Sequence, residues 1–342
     1  MHEIASRVLA KDPRAIARAL RLVDDRVGDC VTVLKDLFPS TGKAFVLGVT
    51  GNPGAGKSTL SDRIIQNFRA QGKTVGVIAV DPTSPFSGGA ILGDRIRMQR
   101  HATDPGVFIR SVATRGHLGG LSRSARDMVR VFDAAGVDLV LVETVGVGQD
   151  EIEITRTAHT TLVVMAPGMG DEVQAIKAGI MECADVFAVN KADRDGADSA
   201  VRDIELMIAL GSESMAAMSK IRGHRTHTAA DAHVQVEQRA TERWIPPIVK
   251  CVALRNEGVA ELCRAIEQHH VWGAETEEGR ARRRGRLTDE VRETLREALI
   301  DAASRALGER IEETVRAVDA REVDPYTATE QLIEAFRTAP RG

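Results

Sequence analysis

Over the middle of the chain, from Ala44 to Ile266, short apolar runs alternate with longer stretches whose apolar positions recur every three or four residues. The runs are Phe45–Thr50, Val75–Val80, Val107–Val112, Leu139–Val142, Leu162–Ala166, Val186–Val189 and Ile248–Val252. A run that is apolar nearly throughout belongs to a strand covered on both faces. Strands alternating with helices predict a doubly wound, mostly parallel α/β sheet. Ahead of this region, Ile4, Val8, Ile16, Leu20, Val23, Val27, Val31, Leu34 and Leu37 recur near helical spacing, broken at Asp12-Pro13. A mixed, less regular stretch runs from Gly211 to Trp244 and ends at Pro246-Pro247. Beyond His270 the β signal stops. From Glu275 to Phe336 the chain is rich in Ala, Glu, Arg and Leu, with Leu287, Val291, Leu295, Leu299 and Ile300 spaced for a helix. The expected organisation is a helical N-terminal extension over 1–43, a sheet domain over 44–272 and a helical arm over 273–342.

Composition narrows the function. With 43% hydrophobic residues in 342, the chain can bury a core of ordinary density, which excludes wholesale disorder. Its 46 basic residues nearly balance 49 acidic ones, so no nucleic-acid partner held by bulk positive charge is expected. Aromatic residues at 3% argue against stacking on single-stranded bases. No apolar run approaches the roughly 20 residues that cross a bilayer, so no membrane partner is expected. Met1 to Lys11 lacks a secretory apolar segment, which makes the cytoplasm the expected address. Cys30, Cys183, Cys251 and Cys263 stand singly, in keeping with a reducing compartment. The basic run Arg280 to Arg286 sits beside Glu275, Glu277 and Glu278 and reads as a solvated or intersubunit helix face.

The strongest chemical signal directly follows the first run. Gly51-Asn52-Pro53-Gly54-Ala55-Gly56-Lys57-Ser58-Thr59 has the G-x-x-x-x-G-K-S pattern of a P-loop and opens a predicted helix over Thr59–Ala70. Glycines let backbone N–H groups close round phosphates, and the helix N-terminus adds its positive dipole end. Lys57 would reach the β- and γ-phosphates of a nucleotide, and the Ser58 hydroxyl would bind Mg²⁺.

Asn190-Lys191-Ala192-Asp193 follows a later strand. A carboxylate there accepts hydrogen bonds from guanine N1–H and its 2-amino group, neither of which adenine offers. At about 1.5–3 kcal/mol for each bond to a charged group, two favour guanine by about 3–6 kcal/mol, enough to select GTP over ATP. Between the two motifs, Glu143-Thr144-Val145-Gly146 ends the strand Leu139–Val142. This is the place of the D-x-x-G element, in which an acid holds Mg²⁺ through water and a glycine N–H senses the γ-phosphate. Here glutamate takes the acidic place. Val147 stands where many GTPases carry a water-orienting glutamine, and Gln149 lies too far along the loop to replace it, so slow intrinsic hydrolysis is expected.

Asp81 closes the second run and leads into a loop with Gly88, Gly89, Gly93 and Asp94; Asp81 and Asp94 are candidate partners of Mg²⁺ or its water. A third glycine-rich loop, from Pro167 to Glu172, precedes a helix with Gln174 and Lys177. On bare chemistry it is either functional or a strand-to-helix turn with an acidic cap. The histidines form no metal-binding spacing; His101, His117, His224, His227, His233, His269 and His270 read as surface or satisfied side chains.

Taken together, G-N-P-G-A-G-K-S-T-L, V-D-P-T-S-P-F-S-G-G-A-I-L-G-D-R-I-R-M, E-T-V-G-V-G-Q-D-E, A-P-G-M-G-D-E-V-Q-A-I-K-A-G-I and N-K-A-D resemble the methylmalonyl-CoA mutase-associated GTPases, the MeaB/ArgK group of SIMIBI-class P-loop proteins. The match covers Ala44 to His270 closely, and the long second block is far more specific than the P-loop. The resemblance implies a homodimeric GTPase chaperone of an adenosylcobalamin-dependent acyl-CoA mutase, gating cofactor loading and protecting the mutase from inactivation. It implies GTP or GDP and Mg²⁺ as ligands, with adenosylcobalamin met only through the partner mutase. Carried over by motif, Gly51 to Thr59 and Gly146 would hold phosphate; Lys57, Asp81, Asp94 and Glu143 would serve hydrolysis, and Ser58, Asp81, Asp94 and Glu143 the metal. Asn190, Lys191 and Asp193 would read guanine, with Val252, Ala253 and Leu254 completing the base pocket. Pro82–Gly93, Val145–Glu151 and Gly168–Lys177 would be three switches. Ala90 removes a family hydroxyl from the first switch, and Val252-Ala253-Leu254 lacks the common serine, which favours backbone contacts to the base.

Three other readings compete. A P-loop kinase would need a positioned acceptor and base, for which no dedicated site stands out. A nickel-delivery GTPase would need a Cys/His cluster. A nucleotide-gated scaffold without significant turnover is kept open by the missing glutamine.

Overall fold

The computed structural model describes residues 1–81, 99–101, 103–113, 120–144, 157–168, 184–222 and 243–338. All seven apolar runs form strands: β1 (Phe45–Gly51), β2 (Val75–Asp81), β3 (Val107–Ala113), β4 (Leu139–Glu143), β5 (Thr160–Met165), β6 (Val186–Asn190) and β7 (Ile248–Cys251). They make one sheet in the order β3-β2-β4-β1-β5-β6-β7, and every neighbouring pair is parallel. The strand β5 starts ahead of its apolar run because Thr160 and Thr161 are buried with their polar groups satisfied. The Thr160 hydroxyl lies 2.8 Å from His269 Nδ1, and the Thr161 N–H donates to Asp185 at 2.9 Å.

Nine α-helices lie among the described residues: α1 (Glu3–Leu9), α2 (Pro13–Asp25), α3 (Cys30–Leu37), α4 (Lys57–Ala70), α5 (Gly120–Ala134), α6 (Ala197–Arg222), α7 (Val259–Glu275), α8 (Glu277–Asp319) and α9 (Pro325–Thr338). The predicted P-loop helix therefore begins at Lys57 rather than Thr59. Of the stretch read as irregular, residues up to Arg222 are helical in α6, and 223–242 lie outside the described residues. Asp12 caps α2, accepting from Arg14 N–H at 2.9 Å ahead of Pro13, which accounts for the break seen in the periodicity.

Alternation along each strand divides the core by face. Leu47 and Val49 of β1, Leu139 and Leu141 of β4, and Leu162 and Val164 of β5 pack with Leu60, Ile64, Ile65 and Phe68 of α4 and Leu262 and Ile266 of α7. On the opposite face, Val46, Ile78, Val80, Val140 and Val142 meet Met128, Val131 and Phe132 of α5. Ile4, Val8, Ile16, Leu20, Val23 and Val33 of α1–α3 belong to that same cluster. Beyond it, Val163, Met165, Phe187 and Val189 pack on Ile204 of α6. The turn feeding β1 is held by the buried Asp133 of α5, whose carboxylate accepts from the N–H groups of Gly42, Lys43 and Ala44 at 2.5, 3.1 and 2.9 Å.

The chain divides into two compact units, Met1–Arg283 and Arg284–Gly342, and the sheet and α1–α7 belong to the first. Within the first unit, Arg282 pairs with Asp185 and Glu278 and stacks 4.9 Å from the Trp272 ring centre. In the second unit, Gly308 interrupts α8 with non-helical angles. Asp324 then caps α9, accepting from Tyr326 and Thr327 N–H at 3.0 Å each.

Candidate functional site

The strand order reverses direction around β1. Chain order runs outward on one side through β2 to β3 and, after β4 returns beside β1, outward on the other through β5, β6 and β7. The carboxyl ends at such a point form the natural crevice for a ligand in a doubly wound sheet. The P-loop leaves β1 there. Gly51 has φ +133°, and a Cβ on it would sit 2.0 Å from the Val164 carbonyl oxygen, so only glycine lets β1 stay paired with β5. Gly56 has φ +90°, and its Cβ would meet Asn190 Nδ2 at 2.5 Å. Lys57 Nζ arches back over the loop and donates to the carbonyls of Gly51 and Asn52 at 2.6 and 3.0 Å. Backbone N–H groups at the start of α4 and the Lys57 ammonium lie together at the positive end of the helix dipole, a cradle-like arrangement suited to phosphate. Pro53 and Gly54 are exposed at its lip, Ala55 is buried beneath, and Thr59 is half-buried in the first helical turn.

Ser58 and Glu143 meet beside this cradle. The Ser58 hydroxyl donates to Glu143 Oε1 at 2.6 Å, and the two residues are only 7% and 2% exposed. Register explains the meeting, since Glu143 pairs with Val49 across β4 and β1, one strand from the P-loop. Thr144 continues the strand, with its N–H on Val49 O at 3.1 Å and its hydroxyl 3.1 Å from that of Thr50. A carboxylate and a hydroxyl converging this way are oxygen donors suited to a hard divalent cation, so these residues fit Mg²⁺. Asp81 ends β2, which neighbours β4, at the same carboxyl edge. Asp94 and Gly146 lie outside the described residues, as do Pro82–Gly93, Val145–Glu151 and all but Gly168 of the third expected switch.

The expected base-reading residues stand at the end of β6. The buried Asn190 side chain joins two loops: Nδ2 donates to the Ala55 carbonyl at 2.9 Å, and Oδ1 accepts from the Ala253 N–H at 3.1 Å. Lys191 adopts φ +57° and places Nζ 2.6 Å from the Gly54 carbonyl, over the P-loop. Ala192 N–H donates to Cys251 O at 3.0 Å, tying the turn to β7. Asp193 stands at the surface with its Oδ2 3.4 Å from an Arg255 nitrogen. Val252 and Ala253 are buried, whereas Leu254 is exposed. Burial pushes the neighbouring Cys251 thiol up to about 12, so it stays protonated and inert.

The P-loop, Glu143 and Asn190–Asp193 thus come together at the carboxyl edge of the sheet, and two side chains of α4 that no motif marks join distant segments beside them. Arg63 of α4 grips the carbonyls of Ala253 and Leu254. Asp62, also on α4, is buried against His101 Nε2 at 3.0 Å and Arg100 Nε at 3.1 Å. No local pattern marks either contact, since each joins segments distant along the chain.

Comparisons with known proteins agree with this geometry. The family model described as Methylmalonyl Co-A mutase-associated GTPase MeaB matches residues 16–307. A protein of Pyrococcus horikoshii whose name marks it as a candidate GTPase is 44% identical over 332 residues, covering 97% of each chain. GTPase ArgK of Escherichia coli is 34% identical over 331 residues, covering 94% of this chain and 92% of its own. Among solved structures, that of an LAO/AO transport system kinase superposes with a TM-score of 0.64 at 26% identity, over 98% of this chain and 97% of the other. With a seven-stranded parallel P-loop sheet and a family match across most of its length, the chain belongs to the methylmalonyl-CoA mutase-associated GTPase family, MeaB.

Proposed function

We propose that the protein binds and slowly hydrolyses GTP, and that its nucleotide state governs an adenosylcobalamin-dependent acyl-CoA mutase, gating cofactor loading and protecting that enzyme from inactivation. The observation that carries the nucleotide half is the Asn190 side chain, which couples the phosphate loop at Ala55 to the base loop at Ala253. Recognition of the two ends of one guanine nucleotide is then held in a single hydrogen-bonded unit. Lys57 and backbone N–H groups between Gly54 and Thr59 bind and orient the phosphates; Asp193 accepts from the guanine edge. Ser58, Glu143, Asp81 and Asp94 would hold the metal and its water. Mg²⁺ would neutralise charge developing on the β- and γ-phosphate oxygens. With valine at 147 in place of a water-orienting glutamine, turnover by the protein alone is slow.

The mutase half is supported by the family name. A homodimer built on the arm 273–342 is supported by the apolar series Leu287, Val291, Leu295, Leu299 and Ile300, all more than half exposed along α8. No helix among the described residues is long and apolar enough to cross a membrane. The test is GTP turnover by the purified protein, alone and with candidate adenosylcobalamin-dependent acyl-CoA mutases. The expected result is slow turnover that rises severalfold with one mutase and is not reproduced with ATP. Turnover indifferent to every mutase, at concentrations where nucleotide is bound, would overturn the chaperone reading.

A further inference from the structure

Arg63 lies on the helix that the P-loop opens, yet its side chain serves the other end of the site. Nε donates to the Ala253 carbonyl at 2.9 Å, Nη2 to the Leu254 carbonyl at 3.2 Å, and Nη1 to Gln66 Oε1 on its own helix at 3.0 Å. A planar guanidinium engaged on three nitrogens is fixed in orientation. The segment it grips is a tight turn. Ala253–Arg255 form a single 3₁₀ turn, Asn256 has φ +60°, and Val252 bridges back to Glu257. Ala253 is therefore held through both of its backbone polar groups, its N–H by Asn190 and its carbonyl by Arg63 together with the Asn256 N–H. In a planar trans peptide the carbonyl and the next N–H point in opposite directions. Drawing the Ala253 carbonyl toward α4 consequently turns the Leu254 N–H away from α4.

We propose that Arg63 is a positioning residue for the nucleobase, clamping the 252–257 turn so that a backbone N–H donor is presented to the base. Guanine carries an acceptor, O6, where adenine carries an amino donor, so a fixed N–H favours guanine. The proposal rests on the reading of Asn190, Asp193 and Val252–Leu254 as the base site. It gives α4 two duties: its N-terminus faces phosphate, and Arg63 fixes what faces the base. Loss of this side chain should act on the base and leave the phosphate contacts in place.

The experiment uses the full chain and measures affinities and dissociation rates of fluorescently labelled GDP and ADP for wild type, Arg63→Ala, Arg63→Lys and Asp193→Asn. Arg63→Ala is expected to release GDP about tenfold faster and to narrow the GDP-to-ADP affinity ratio by about the same factor, with ADP affinity unchanged. Arg63→Lys should fall between, since an ammonium cannot hold two carbonyls as a planar fork does. Should Arg63→Ala fail to fold, the Lys variant carries the comparison. Equal weakening of GDP and ADP would make Arg63 a general staple and overturn the proposal, as would no change in either. The Asp193→Asn arm separates the two levels. If it leaves the ratio intact, the base-site reading itself is wrong; if it collapses the ratio while both Arg63 variants keep it, only the role of Arg63 falls.

Discussion

The Ser58 hydroxyl donates to the Glu143 carboxylate across 2.6 Å, joining the first turn of α4 to the end of β4. In the metal site proposed above, this bond would align the acid with the serine hydroxyl. Glutamate reaches where the shorter aspartate is usual because Val49 and Glu143 are in register on adjacent strands.

Replacing Glu143 with Gln keeps the side chain's shape and its acceptor oxygen but removes the charge. Turnover of GTP should fall by about a hundredfold or more, the scale for loss of one pre-organised electrostatic group. A Mg²⁺ titration of turnover checks it. An unchanged midpoint and rate would remove Glu143 from the metal site.

Lys57→Ala removes a cation from the cradle and, with it, both bonds to the carbonyls of Gly51 and Asn52. Tight binding of GTP and GDP should be lost together, as read by calorimetric titration. Retention of affinity within threefold or so, about 0.6 kcal/mol, would show that the loop does not hold phosphate in this way.

Asp193→Asn should leave the P-loop untouched and mainly erode the preference for guanine. Two hydrogen bonds to a charged acceptor become at best one to a neutral acceptor, a loss of about two decades in the GTP-to-ATP affinity ratio. Competition binding measures it. Because Asp193 is exposed and 3.4 Å from Arg255, thermal stability should move little.

His270 gives a prediction about acid. Burial, with smaller repulsion from His269 and Lys73, holds its imidazole below the ordinary 6.5. The ring lies 4.2 Å from that of Phe45, at the start of β1. Above pH 6.5 folded and unfolded forms both carry it neutral, so it costs nothing. As the pH falls through that value the unfolded chain takes up a proton that the folded chain resists, and stability is lost down to the folded pKa. His270→Leu should flatten the corresponding part of a plot of urea midpoint against pH. An unchanged slope would mean the ring protonates freely in the folded protein.

Much of this architecture can be read from the residues, for a physical reason. Strands sandwiched between helices leave uninterrupted apolar runs, and all seven were recognisable on that ground. The P-loop and Asn190-Lys191-Ala192-Asp193 are local, so chain order alone puts them at the ends of β1 and β6. What the residues did not disclose depends on contacts across the chain. Thr160 and Thr161 look polar, yet Thr160 is buried under His269 from a distant helix. Periodicity marks an apolar face on α1–α3 without saying what lies against it. Arg63 is one more polar position on an amphipathic helix until a turn 190 residues away arrives at its side chain. That Asp81 and Glu143 end neighbouring strands at the same carboxyl edge follows from the strand order, which no local pattern gives.

The packing of α1–α3 has a consequence for synthesis. Their apolar faces share a cluster with Ile78, Val112, Phe132, Val140 and Val142, all made long after Ile4. At the usual elongation rate of about 5–20 residues per second, roughly 7 to 28 seconds separate Ile4 from Val142 on the ribosome. Through that interval the helices have only one another to pack against, and the sheet that will receive them is still being translated. Slower translation between β1 and β4 would lengthen that exposure.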